Sequence, residues 1–116
     1  MPLRLPHLSA TARDIKKPTD ALDYEIAREM AGALGRLGSA LERTLRTLVE
    51  FDAAHPPGGP IPRAIRAKRQ DLVAEASRAL WHFVVQREAC GLRDSRQVLR
   101  DYAVPAEVRD RMGAFP

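Results

Sequence analysis

Residues 55–62 read HPPGGPIP, with four prolines and two glycines in eight positions. Proline lacks the donor and clashes with the preceding turn of a helix, and glycine weakens one, so no helix passes through this segment. On either side the apolar residues recur at helical spacing. The chain is thereby limited to two long rods joined by a stiff corner.

Upstream, Leu22, Ile26, Met30, Leu34, Leu37, Leu41, Leu45 and Leu48 follow one another at steps of three or four, a single continuous stripe. Asp20, Asp23 and Glu25 put negative charge at the positive end of the helix dipole. The pattern predicts a helix over about 20–53, roughly 50 Å long at 1.5 Å per residue. Downstream, Pro62 suits a first helical position, and a second helix is expected over 62–90. Ile65, Leu72, Ala76, Leu80, Phe83 and Val84 form its apolar side, and Asp71, Glu75, Arg78, His82 and Gln86 its polar one. Gly91 supplies a helix stop, with Leu92 as the hydrophobic contact beyond it. Asp94 with Gln97 caps a short helix over 95–102, and Pro105 opens another over 105–112.

The expected fold is all-α: a long antiparallel two-helix hairpin with two short C-terminal helices packed at its open end. Residues 1–18, basic and punctuated by proline, form a flexible N-terminal arm or an extended segment lying on the domain. Residues 19–116 form one helical domain, a size able to bury a modest core.

The stretch GALGRLGSA, residues 32–40, places three glycines inside the first rod. Neither a dinucleotide fingerprint nor a phosphate loop is spelled here, and no strand precedes it. Close packing is favoured over a kink. With the corner as the fold point, Gly35 lies opposite Leu80 or Trp81, Gly32 opposite Phe83 and Gly38 opposite Ser77. The missing side chains then make room for the indole of Trp81.

The formal net charge is +4. Sixteen of the nineteen cations are arginine, as a GC-rich codon pool would give, which weakens a nucleic-acid reading of the basic excess. Charge distribution is more telling: residues 20–52 sum to −3 and residues 62–90 to +3, so the rods complement each other first. A single cysteine, Cys90, forms no internal disulfide and suits a reducing compartment. The longest charge-free apolar run, 79–85, is too short to span a bilayer, and the N-terminal residues lack a secretory core. A cytoplasmic protein without a membrane partner is expected.

Chemistry-bearing patterns are sparse. His7, His55 and His82 have no ligand spacing, so neither a metal nor another cofactor is expected. Cys90 sits at a helix C-terminus, where partial negative charge opposes a thiolate. The carboxylates read as ion-pair faces and no acid–base couple stands out, so no enzymatic activity and no catalytic residue are expected. The most suggestive feature is PRAIRAKRQ: Arg63, Arg66, Lys68 and Arg69 crowd the first turns of the second helix, where the dipole disfavours cations. Arg43 and Arg46 are expected beside them, making a candidate anion- or partner-binding set. The neutral alternative is that Glu42, Glu50, Asp52 and Asp71 already balance these charges. The tail from Ser95 has some look of a helix-turn-helix, but its second helix is too short to fill a groove.

ALDYEIAREMAGALGRLGSALE with FVVQREACGLRDSRQVLRDYAVPAEVRDRMG resembles a family of small, uncharacterised bacterial helical proteins classed as a domain of unknown function, over about residues 21–113. The resemblance implies a helical fold and carries no functional residue across.

The expected function is a non-enzymatic helical protein-interaction or adaptor module. It associates with itself as a homodimer through Leu41, Leu45, Leu48, Ile65 and Leu72, which the short helices would leave uncovered, or it binds another protein. The alternative is a nucleic-acid-associated regulator using the basic arm (Arg4, Arg13, Lys16, Lys17) and the Arg63–Arg69 cluster.

Overall fold

A computed structural model describes residues 18–113. The expected basic arm, apart from Pro18, lies outside the described residues. Those described are all-helical: α1 spans Pro18–Ala54, α2 Arg63–Ala89, α3 Ser95–Asp101 and α4 Ala106–Met112. Each boundary falls within two residues of the expected one. Pro62 and Pro105 stand one position before their helices rather than in them.

The chain divides into two compact units, residues 1–32 and 33–116. In the first, the described residues are the opening turns of α1, and positions 18–29 are all exposed. The second holds the core: Leu41, Leu45 and Leu48 of α1 cluster with Leu72, Val73, Ala76, Leu80 and Phe83 of α2, Val98 of α3 and Val108 of α4. Within it α1 and α2 meet in opposite chain order, Asp52 against Arg69 and Gly38 against Phe83.

That pairing corrects the expected register. Gly38 faces Phe83, six positions beyond the Ser77 expected from the corner. A Cβ on Gly35 would find nothing within 4 Å, so Trp81 does not fill a space there. The close approach is at Gly38 instead, where a Cβ would sit 2.8 Å from Tyr102 Oη and 3.4 Å from Phe83 Cε1. Phe83 and Tyr102 meet edge to face, centroids 5.5 Å apart at 69°. The register is held by Arg69, whose fork grips Asp52 and so fixes which turn of α2 lies beside the end of α1.

The short helices are also placed differently from expectation. Leu92 N–H donates to Arg87 O and Gly91 N–H to Glu88 O, with Gly91 at φ 90°, so α2 ends in a Schellman reversal. Leu92 itself stays exposed. Asp94 caps α3 by accepting from Arg96 N. A second Schellman reversal follows at Ala103, a non-glycine residue at φ 51°, with Val104 N–H donating to Leu99 O. The two reversals send the chain back toward the proline corner rather than leaving it at the open end. Glu107 of α4 then meets Arg69, and buried Ser77 Oγ lies 2.9 Å from both Val73 O and Val108 O. Apolar burial drives this route: it covers the Leu41–Leu48 stripe with Val98 and Val108.

Candidate functional site

The structure separates the six basic candidates. Arg69, half-buried on α2, makes four hydrogen bonds: Nε and Nη2 donate to both oxygens of Asp52, and Nη1 and Nη2 to both of Glu107. Such paired forks are the strong form of this contact. The hydrogen bond from Arg69 is the first cause holding the Asp52 carboxyl below its ordinary value, against some desolvation. The Asp52 and Glu107 hydrogen bonds in turn hold the guanidinium protonated above its usual range. Arg69 is thus committed to joining α1, α2 and α4.

Arg66 donates through Nη1 to Ile61 O at 2.6 Å, tying the last turn of the proline corner to α2. Arg63 and Lys68 are exposed. The expected neighbours from α1 lie elsewhere. Arg46 pairs with Glu42 at 3.7 Å and borders a hollow shared with Tyr102 and Pro105. Arg43 borders another with Glu75 and His82. Because the register is shifted, Asp52 rather than either arginine faces the basic turns of α2. The six do not form one patch.

The corner itself is concave. Phe51, Pro57, Ile61 and Ile65 wall a groove of about 670 Å³, with His55 and Arg66 on its polar side. His55 stacks on Phe51, centroids 4.3 Å apart, and its Nδ1 lies 2.9 Å from Phe51 O.

Four of the five expected self-association positions are not available as surface. Leu41, Leu45, Leu48 and Leu72 are buried within one chain, in one cluster with Leu80 and Phe83 of α2, Val98 of α3 and Val108 of α4, and Ile65 is half-buried at the corner groove. Exposed apolar side chains are instead Leu22, Tyr24 and Ile26 in the first unit, and Val49, Ile61, Val85 and Leu92 in the second. Leu22 and Ile26 were legible as members of the stripe, but the short helices' actual route was needed to see which part of it stays open.

Among the described residues no group of three His, Cys, Asp or Glu side chains could hold a metal ion. Among them, too, no helix is long and apolar enough to cross a membrane. Cys90 is half-buried at the end of α2, with Gln86 Nε2 3.8 Å from its sulfur.

No curated protein and no solved structure matches the chain. A family profile does match, over residues 8–116, which is nearly the whole sequence. The chain therefore belongs to DUF6665, a family of unknown function.

Proposed function

We propose that the protein is a non-enzymatic helical interaction module whose contact surface is the Leu22–Ile26–Met30 face of α1 with its flanking carboxylates. The observation that supports this reading is the contrast along one stripe. Leu41 and Leu48 are 0 % and 2 % exposed, whereas Leu22 and Ile26, spaced to share their face, are 59 % and 48 % exposed. Burying what remains of each side chain returns roughly 1–2 kcal/mol, so the pair rewards a partner helix or strand. An antiparallel α1–α2 hairpin is the scaffold in this reading, and a reducing bacterial cytoplasm its setting. The partner is another protein, with a second copy of the chain as the alternative.

The test uses the full chain and Leu22→Lys/Ile26→Lys. Binding to a partner identified from the native extract is expected to fall at least tenfold in the variant, the loss of ~1.4 kcal/mol or more, with its thermal melt unchanged. Equal binding by both proteins overturns the assignment. Light scattering at tens of micromolar separates a homodimer from a monomer.

A nucleic-acid-associated regulator is the rival reading, resting on exposed Arg63, Arg66 and Lys68. It draws less support because Arg69 already serves two carboxylates. It requires affinity for duplex DNA or RNA that collapses with salt, as counterion release dictates. Negligible binding at low salt removes it.

A further inference from the structure

We infer that the groove of the proline corner is a binding site for a small monocarboxylate with an apolar body, which lies against Phe51, Ile61 and Ile65 while Arg66 takes its head. The groove belongs wholly to the second unit, so the inference stands apart from the α1 contact surface.

Three observations converge. The first is shape. The groove's volume of about 670 Å³ falls inside the range of roughly 300–1,000 Å³ that small-ligand sites occupy. Pro56, Pro57, Pro60 and Pro62 line it and hold their φ angles fixed. Both ends of the corner are tied as well: Arg66 Nη1 donates to Ile61 O at 2.6 Å, and the His55 N–H donates to Phe51 O at 3.0 Å. Walls already held in place lower the ordering cost of taking up a ligand.

The second is apolar surface. Ile61 is 45 % exposed, and Phe51 and Ile65 are half-buried in the same wall. A hydrocarbon body laid there removes the rest of that surface from water. The third is charge. Arg69, which also lines the groove, is already matched by Asp52 and Glu107. Arg66 is not: its one hydrogen bond goes to a neutral carbonyl, and it forms no ion pair among the described residues. Most of its five N–H donors therefore remain for the two oxygens of a carboxylate. A single unmatched cation suits a single negative charge. A doubly charged phosphate suits it less, because two carboxylates on one guanidinium leave the adjoining Asp52–Arg69–Glu107 cluster at −1.

NMR titration of the full chain with hexanoate, octanoate and decanoate below their micelle concentrations tests this. The Ile61 and Ile65 methyls and the Arg66 amide are expected to shift saturably. Affinity should rise about threefold to fourfold for each methylene that enters the groove. Octanamide, with the same body and no charge, should bind the native chain about tenfold or more weakly than octanoate. Arg66→Gln should bring octanoate down to the level of octanamide, and Arg66→Lys should keep most of the difference. Ile61→Ser, at an exposed position, should weaken both ligands alike. Because Arg66→Gln also unties the corner, the comparison of octanoate with octanamide on the native chain decides the role of charge. Equal binding of those two overturns the inference, as does an affinity that ignores chain length or shifts that fall away from the corner. Octyl phosphate binding more tightly than octanoate overturns the carboxylate assignment.

Discussion

Gly35 and Gly38 are three positions apart in α1 and differ in what a methyl group would meet. At Gly35 it meets nothing within 4 Å, so Gly35→Ala should gain most of the ~1 kcal/mol that alanine holds over glycine in a helix. At Gly38 the same methyl presses on the Tyr102 hydroxyl and the Phe83 ring. Gly38→Ala should fall short of Gly35→Ala by about 1 kcal/mol or more, the usual cost of overpacking, as urea unfolding of both variants will measure. Equal effects would remove the close approach at Gly38. Ala103 is the other residue whose backbone sets its chemistry. Its φ of 51° lies in the left-handed region, which costs a residue with a Cβ roughly 1–2 kcal/mol. Ala103→Gly should relieve that strain; glycine's larger unfolded-state entropy trims the gain to about 0.5–1 kcal/mol. The GxxG spacing announced a close approach, but not which glycine made it. That depended on Tyr102, which arrives from a turn whose sequence, YAVP, lacks the glycine that usually marks such a reversal.

At the scale of elements, Arg69 is the joint of the second unit, since Asp52 of α1 and Glu107 of α4 both close on it. Asp52 is held below its ordinary value chiefly by that hydrogen bond, so the pairing is fully present above the unfolded carboxylate's value, ~3.9. It is lost as pH falls through the lower folded value, where the carboxyl takes up its proton. Asp52→Asn should therefore be less stable than the native chain at pH 7, by about 1 kcal/mol for a partly exposed pair. The difference should shrink as the pH is taken below about 4. Chemical denaturation followed from pH 7 to acid checks this, and a gap that does not change with pH would remove the ion pair as its cause. The helices themselves were readable to within two residues because their signals are local: the period of three and four, the proline corner, Gly91 and Asp94. Of the two partners of Arg69, Asp52 was already among the carboxylates set against the basic turns, whereas Glu107, 38 positions away, was not readable.

At the scale of the whole molecule, the apolar stripe of α1 has two fates, and mutation separates them. Leu41→Ala removes a fully buried side chain and should cost ~2–5 kcal/mol. The drop in midpoint from the native chain's should be the same at every protein concentration, because the side chains that enclose Leu41 belong to its own chain. A drop that varies with concentration would return Leu41 to an interface between copies. The sequence by itself determined the all-α class, the four helices and the corner, since each rests on interactions between residues a few positions apart. It also held the charge balance and the apolar periodicity, which is why Leu22 and Leu41 looked equivalent. Only the tertiary structure decided which of them is covered. Two short helices double back along one part of the stripe, and that route is chosen by long-range burial of Val98 and Val108 and by a single arginine's grip on two distant carboxylates. Burial is a property of the assembled core, and local spacing does not encode it.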